Sequence, residues 1–510
     1  MSGSTSAVTL TSAPPNFTEI PVSWRVPGSY MEVKAAVNEN AVLPFPACGL
    51  VFGQMYATGT ATAGVPVRIN SASQPQALFG AGSQAAMMCA AWILANPYTP
   101  FYAVGLADAA NAAKATGSVT ISGAATAPGT LIVRVDGVPV QVGVNIGDTA
   151  AEVAANLYGQ LDMQGQPGYP WLPSVTPSYA AGAAVVNLTC GHGGTLGNNI
   201  DVRVDVSNGN TIPAGLTVQI APMSGGATDP DPAITAAIGG LSRWYTDIAF
   251  PWSDAENLGV LSSYLAQAYG AMAQKDAQAY VVLDATYGTA LNFAANSQYI
   301  CALPVQNDYT APWILAAVFA AVCCYQSAAQ PSLQMKSVAL PGIVAPDEAD
   351  RFTPDERQQL LQAGLSTFIV DDSGAMLLER VVTTRRFDDA GNPTSAFFDL
   401  NSTKVPTRVR YDWDAYIDET WPRNLLCDDG TFAAQYNPSA VTPNKLKASW
   451  TSRSAVYERN GWIQNSAQMA KQSAFNIDPN DGNRVDARQP IQIMGNLMVL
   501  AGSLQFISNN

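Results

Sequence analysis

The stretch "AYVVLDATYGTALNFAANSQYICALPVQNDYTAPWILAAVFAAVCCY", residues 279–325, decides the fold class of this chain. Two short apolar runs within it, at 279–285 and 298–305, predict buried strands. The Ala-rich run at 311–325 follows them, and it predicts a buried helix because it is too short to cross a bilayer. Two strands and an apolar helix in succession indicate an α/β domain.

The same pattern occurs upstream of this stretch. Residues 41–59 and 101–106 predict buried strands, and residues 80–97 between them predict a helix that Ser83 caps. These elements extend the α/β domain toward the N-terminus.

The pattern also continues downstream of a central interruption. Residues 245–252 predict a strand, and a helix is predicted at 255–273. Thr353 and Glu356 have the spacing of a capping box at the start of a later helix. Residues 365–384 then predict a hairpin that turns at an Asp-Ser-Gly sequence.

The interruption, residues 112–228, is rich in Thr, Val, Gly and Ala. Alternating residues on both sides of Asp136-Gly137 predict a hairpin with a type I′ turn. A helix is predicted just after Asp148. We interpret this block as a separate β-rich domain inserted into the α/β domain.

Both ends of the chain carry alternating apolar residues, although chain ends are usually polar and frayed. A terminal pair of strands is predicted over 488–510, and Pro21 confines the N-terminal strand to an edge. Strands at two exposed ends can each pair with a sheet on another subunit. The candidate residues are Ile20, Val22, Trp24 and Val26 in the N-terminal arm, and Leu504, Phe506 and Ile507 in the C-terminal arm.

These patterns predict a multidomain chain of mixed class, α+β and α/β. The expected divisions are an N-terminal arm (1–27), an α/β domain in two parts (28–111 and 229–394), the inserted β-rich domain (112–228), and a C-terminal α+β polymerisation domain that ends in the C-terminal arm (395–510).

The composition limits the classes of function. Charged residues make up 13% of the 510 residues, about half the usual ~25% share, so much of the surface is expected to be covered by partners. The net charge of −14 argues against nucleic acid as a partner. Seven scattered cysteines without a CxxC pair predict reduced, buried thiols and no zinc site. The N-terminus has no secretory signal pattern.

Catalytic patterns are weak. The single histidine, His192, stands near Cys190 in a glycine-rich segment that lacks both a serine elbow and a phosphate-loop lysine, so a turn is expected there. Asp371-Asp372 and Asp428-Asp429 stand before turns and are explained by turn chemistry. We therefore predict a chain that is not an enzyme and has no cofactor and no metal.

Several separated segments resemble one known family. "IPVSWRVPGSYMEV" (20–33), "FGAGSQAAMM" (79–88), "QLLQAGLSTFIVDDSGAMLLERVVTT" (359–384) and the C-terminal region are similar to tail sheath proteins of contractile-tailed bacteriophages, within the Mu-like group. The resemblance implies a structural subunit of the virion tail that polymerises as stacked rings around a tail tube and contracts to drive it through the host envelope. It also implies assembly in the host cytoplasm, terminal arms that add strands to neighbouring subunits, and tail tube, baseplate and tail terminator proteins as partners, without membrane insertion.

Lys445, Lys447 and Arg453 lie on or near one predicted helix in an otherwise acidic chain. They are candidates for contact with the tail tube, and the alternative is a solvated helix face. Two other functions stay open. One is the sheath of a phage-like contractile injection particle, a tailocin. The other is an α/β hydrolase or nucleotide-binding enzyme, which only the alternation of strands and helices supports.

Overall fold

A computed structural model describes residues 25–29, 42–163 and 175–506. Residues 43–510 form one compact unit and residues 1–42 form another. The described part of the smaller unit, residues 25–29 and residue 42, contains no helix or strand. The elements below all belong to the larger unit, and the predicted domain boundaries within it stay a prediction.

Strands and helices alternate over the α/β regions. The strands are β1 Gly49–Gln54, β2 Val67–Ile69, β3 Phe101–Leu106, β4 Lys114–Gly123, β5 Gly129–Val135, β6 Val138–Val144, β7 Val175–Tyr179, β8 Val185–Gly193, β9 Val202–Val204, β10 Leu216–Ser224, β11 Asp247–Ala249, β12 Gln278–Asp284, β13 Ile300–Val305, β14 Val338–Ala339, β15 Thr367–Val370, β16 Met376–Arg380, β17 Leu425–Leu426, β18 Ala440–Val441, β19 Ala474–Asp478 and β20 Asp481–Arg488. The helices are α1 Gln74–Phe79, α2 Gln84–Ala95, α3 Ala150–Asp162, α4 Asp231–Gly239, α5 Ala255–Tyr269, α6 Tyr287–Leu291, α7 Pro312–Ala329, α8 Pro354–Gln362, α9 Asn401–Thr420, α10 Phe432–Tyr436, α11 Pro443–Arg459 and α12 Ser466–Gln472.

The largest sheet has the strand order β13-β12-β11-β1-β3-β2. Its strands pair in parallel, except that β2 runs antiparallel to β3 at one edge. Strands from before and after the central block therefore lie in one sheet, and β1 and β13 are buried along their whole length. This arrangement confirms the predicted mixed α/β class.

Helix α7 is the apolar helix predicted from the opening stretch. By length and composition alone it could cross a membrane, but 72% of it is buried inside the protein. It packs against α2 and against strands β11 and β12 of the large sheet. Its all-round apolar composition is thus the signature of a core helix.

The predicted helix ends are confirmed at two sites and corrected at one. Ser83 accepts a hydrogen bond from the backbone N–H of Ala86, and Thr353 forms a capping box with Glu356. Helix α5 ends at Tyr269 rather than Ala273, because Gly270 leaves the helical conformation.

Within the central block, strands β10, β4, β8 and β7 form one sheet and β6, β5 and β9 another. Asp136 and Gly137 have φ values of 51° and 76°, which confirms the type I′ turn between β5 and β6. Thr149 and Glu152 form a capping box at the start of α3. Ala113 and Ala227, at the two ends of the block, form an antiparallel bridge.

The C-terminal region differs from its prediction. The terminal strands predicted over 488–510 are wrong for residues 489–506, which are irregular apart from a bridge between Ile493 and Ile463. The hairpin lies earlier, in β19 and β20. Strand pairing requires a partner, and residues beyond Ile493 find no strand partner in the described part of the subunit.

Candidate assembly site

The β19–β20 hairpin has one apolar face. Phe475 is paired with Ala487 and Ile477 with Val485 across the two strands. Phe475 is buried and β19 packs against α11, whereas Ala487 is exposed. The apolar face is therefore buried where β19 packs against α11 and exposed to solvent at β20.

Both outer edges of this hairpin lack a partner strand among the described residues. A two-stranded sheet is marginal by itself, and an open edge presents unpaired N–H and C=O groups. Polar contacts hold the hairpin: Arg484 Nε lies 3.7 Å from Asp478 Oδ2 across the two strands, and Arg488 Nη2 donates to the Gln472 carbonyl at 3.1 Å. The hairpin thus has two open edges among the described residues.

The C-terminal tail is fastened over residues 492–498 and exposed beyond them. Asn496 bonds to Gln334 and Ser332 through its side-chain amide, and Lys336 donates to the Met498 carbonyl. Leu504 is 95% exposed and Phe506 is 85% exposed. Ile507, the third predicted residue of this arm, lies outside the described residues.

At the other end of the chain, Ile20, Val22 and Trp24 also lie outside the described residues. Val26 is described and is 56% exposed. The structure describes three of the predicted arm residues, Val26, Leu504 and Phe506. All three expose apolar side chains, as a donated strand requires.

The three basic candidates on α11 differ in their surroundings. Lys445 and Lys447 are half-buried, and Lys445 Nζ donates to the Ala440 carbonyl at 2.6 Å. Arg453 is 7% exposed and forms a bidentate pair with the fully buried Asp412, at 2.6 and 2.7 Å. Because its guanidinium faces inward, Arg453 does not present a cation to a tube, and its predicted surface role is corrected to a structural one.

His192 is held by three neighbouring side-chain and backbone groups. It is buried, its Nδ1 lies 2.9 Å from Asp108 Oδ1, and its Nε2 accepts the backbone N–H of Gln84 at 3.2 Å. Its ring stacks on Tyr56, and burial raises the pKa of the nearby Cys190 thiol. Groups of three or more metal-binding side chains do not occur within the described ranges.

The acidic pairs serve turns, as predicted. Asp371 accepts hydrogen bonds from the Ser373 hydroxyl and from the backbone N–H groups of Ala375 and Ser373, which hold the pKa of its carboxyl below the usual range. Asp429 accepts the backbone N–H of Asn444 at the start of α11.

Sequence reasoning missed two elements of this region, the β19–β20 hairpin and helix α9. The hairpin had a local signal, since "DPNDG" at residues 478–482 separates two short runs that contain apolar residues. Helix α9 was obscured by Pro406 and by the β-branched residues around it, which favour extended structure.

Comparison with known proteins bears on this arrangement. The family model for the phage tail sheath protein central domain matches residues 225–384. The chain is 29% identical over 498 residues to the Mu-like prophage FluMu tail sheath protein of Haemophilus influenzae, covering 96% of this chain and 99% of that one.

Two crystal structures of sheath tail proteins are also similar. Lin1278 from Listeria innocua is 14% identical with a TM-score of 0.49, covering 88% of this chain and 92% of that one. A protein from Desulfitobacterium hafniense is 13% identical with a TM-score of 0.47, covering 92% and 100%. Residues 225–384 match the model of the phage tail sheath protein central domain, and the chain is similar to a tail sheath protein along almost its whole length.

Proposed function

We propose that this chain is the structural subunit of a contractile phage tail sheath. It polymerises as stacked rings around a tail tube and contracts to drive the tube through the host envelope. The observation that carries the proposal is the near full-length similarity to a tail sheath protein. An open-edged hairpin beside an exposed apolar tail supports the way in which subunits join.

In this proposal, the N-terminal and C-terminal arms of neighbouring subunits add strands to the two outer edges of the β19–β20 hairpin. The apolar residues of the arms would cover the open part of the hairpin face, beside Val485 and Ala487. Each molecule thereby accepts strands from other copies and donates its own. The subunits become a mesh of homo-oligomeric contacts.

The energetics favour arms that order only on assembly. Burying Leu504 and Phe506 contributes about 1.5–3 kcal/mol each. Each added ladder hydrogen bond contributes about 0.5–1.5 kcal/mol net. Fixing each arm residue costs about 1–2 kcal/mol, so an isolated subunit has no net gain from ordering an arm alone.

Contraction then needs no nucleotide. The arms stay paired while the compact bodies rotate as rigid units into better-matched interfaces. The work comes from the difference in interface free energy between the extended and contracted lattices, summed over many subunits. Tail tube, baseplate and tail terminator proteins are the further partners in this proposal, and the assembled protein is located in the virion tail.

The proposal is tested at the exposed end of the tail. In the double variant Leu504→Ser and Phe506→Ser, both side chains lose their apolar character without losing a contact inside the subunit. We expect the monomer to unfold at the same temperature, measured by circular dichroism. We expect sheath polymers on purified tail tubes to be absent by electron microscopy and sedimentation velocity.

Met272→Ser is the matched control, because Met272 is 100% exposed but lies on the body of the protein rather than on an arm. This variant should polymerise like the wild type. Normal sheaths from the double variant would contradict donation of the C-terminal strand. A soluble monomer that never polymerises under any condition, even as wild type, would contradict the sheath function itself.

A further inference from the structure

We infer that the points where the two arms leave the body are joined by one buried junction, formed by Arg408, Asp412, Tyr457 and Trp462, and that this junction carries tension from one arm to the other. The inference rests on the proposed sheath function and extends it, because it names the residues through which force passes within one subunit. The two attachment points are called the N-root, residues 43–47, and the C-root, residues 492–494, which is where the fastened part of the tail begins.

The N-root is held by charged side chains of α9. The backbone N–H of Leu43 donates to Asp412 Oδ1 at 2.8 Å, and the Leu43 carbonyl accepts from Arg408 Nη2 at 2.9 Å. Both backbone groups of one residue are thus bonded to ionised partners, which are the stronger class of hydrogen bond. Phe45 adds edge contacts to the rings of Trp244 and Tyr411.

The C-root is held by the turn that follows α11. The backbone N–H of Met494 donates to the Trp462 carbonyl at 3.2 Å, and that of Gln464 donates to the Gln492 carbonyl at 2.8 Å. Ile493 and Ile463 form the bridge between these two bonds. The C-root is therefore a short ladder on residues 462–464.

Arg408 and Trp462 connect the two roots. The Arg408 guanidinium lies over the Phe45 ring at 4.9 Å and over the Trp462 ring at 5.1 Å. Arg408 is only 7% exposed, and its Nε and Nη1 have no hydrogen-bond partner, so the two aromatic faces are its main neighbours on those sides. The Arg408 guanidinium thus contacts both Phe45 of the N-root and Trp462, whose carbonyl binds the C-root.

A second path runs through Asp412. Besides the bond from the Leu43 N–H, the Asp412 carboxylate accepts hydrogen bonds from the Arg453 guanidinium and, at 2.8 Å, from the Tyr457 hydroxyl. Tyr457 stacks on Trp462 with centroids 5.5 Å apart and an interplanar angle of 14°. Both paths end at Trp462, which is 3% exposed.

The junction lies outside the strands of the large sheet and of the central block. Its residues come from α9, from α11 and from the turn after α11. Tension between neighbouring subunits therefore passes from arm to arm through α9, α11 and the turn after α11. The bonds of Asn496 and of the Met498 carbonyl to residues 332–336 share the load on the C-terminal side.

Hydrogen–deuterium exchange on the full-length, unassembled chain tests the coupling without requiring assembly. Arg408→Lys keeps the charge but removes the flat guanidinium, and Arg408→Met also removes the charge. We expect amide exchange to rise several-fold at both roots for Arg408→Lys and about tenfold for Arg408→Met. Arg410→Lys is the matched control on the same helix, because Arg410 lies over Tyr269 and touches neither root.

Protected amides in β1 and β12 verify that each variant is folded. Faster exchange at the N-root alone would overturn the junction, whether or not the chain forms sheaths. Assembled sheaths of Arg408→Lys are then triggered to contract and viewed by electron microscopy. We expect them to break between rings, and sheaths that contract intact would overturn the tension-bearing role while leaving the sheath function in place.

Discussion

At the tip of the β5–β6 hairpin, Asp136 reaches the first turn of α7 and accepts the backbone N–H of Ala311. Its other carboxylate oxygen is buried without a partner, as is one oxygen of Asp308. The negative charge of Asp201 raises the pKa of both carboxyls, and that of Asp284 raises the pKa of Asp308. Arg203, a cation among these carboxyls, pairs with Asp201. The contact between the central block and α7 is thus an acidic junction.

This acidic junction predicts a dependence of stability on pH. The pKa of Asp308 is raised to about 8. Burial is the main cause, and the negative charges of Asp284 and Asp201 contribute to the same rise. In the unfolded chain the same carboxyl titrates near about 3.9. From about pH 4 to about pH 8 the folded state keeps a proton that the unfolded state releases, so rising pH favours unfolding.

Asp308→Asn removes this proton uptake and can keep the hydrogen bond from the Thr310 backbone N–H, which Asp308 Oδ1 accepts at 3.2 Å. We expect little change in the free energy of unfolding at pH 4. At pH 8 we expect the variant to be more stable than the wild type, by up to about 1.4 kcal/mol per pH unit crossed. Urea unfolding between pH 4 and pH 9 measures the difference. Asp372→Asn, an exposed carboxyl, is the control, and parallel pH profiles for wild type and Asp308→Asn would contradict this assignment.

Among the elements, those with a strong local signal were predicted correctly. The type I′ turn, the capping box at Thr353 and the apolar strands of the large sheet all follow from short-range chemistry. Helix α9 did not follow, because its stability comes from tertiary contacts that override poor propensity. Lys404 pairs with the buried Asp247 at 2.6 Å, and Asp412 pairs with Arg453. Such partners lie far apart in sequence and have no local pattern.

The same limit applies to the candidate site. The exposed apolar tail was predicted from its own residues, since Leu504 and Phe506 need no partner to be recognised. The β19–β20 hairpin was not identified, and its open edges could not have been, because an edge is known to be open only once the pairing of every neighbouring strand is known. The burial of Arg453 was also hidden, because a basic residue on a helix has the same pattern whether it faces water or Asp412.

Helix α11 provides a prediction at the scale of one element. Lys445 and Lys447 lie in its first turns, where positive charge is disfavoured by the helix dipole. In the double variant Lys445→Glu and Lys447→Glu, the gain from the helix dipole is offset by loss of the Lys445 bond to the Ala440 carbonyl, about 0.5–1.5 kcal/mol, so the thermal midpoint should be unchanged or slightly lower. If these lysines contact the tube, binding of the protein to purified tail tubes should fall at least about tenfold in co-sedimentation, because two favourable charge contacts become repulsive.

Lys471→Glu on α12 is the control for this charge reversal, because Lys471 is exposed and was not a candidate for tube contact. Unchanged co-sedimentation of the double variant would assign Lys445 and Lys447 to a solvated face instead. A fall in both variants would indicate a general effect of net charge.

At the scale of the whole molecule, the residues proposed for assembly and the central block are separate in the chain. The arms, the hairpin and the junction at Arg408 lie outside residues 114–226. The block begins and ends at one point, where the N–H of Ala113 donates to the Ala227 carbonyl at 2.9 Å and the N–H of Ala227 donates back at 3.2 Å. This closely spaced pair of bonds is the geometry that a two-residue turn connects.

Replacing residues 114–226 by Asp-Gly should therefore leave a folded body that still polymerises on tail tubes. The deletion removes the bonds that Asp136 accepts from Ala311 and that Gly193 accepts from Gln54, those of His192 with Gln84 and Asp108, and those of Arg203 to two carbonyls at 307–308. These six bonds at ~1 kcal/mol each predict a loss of about 6 kcal/mol in the free energy of unfolding. Urea unfolding measures the loss, and electron microscopy shows whether rings still stack. If the deleted chain is folded by circular dichroism but forms no sheath, the block itself makes a subunit contact that the arms cannot replace. Polymers of normal length would instead establish that the copies join without the central block, as the proposed strand donation by the arms requires.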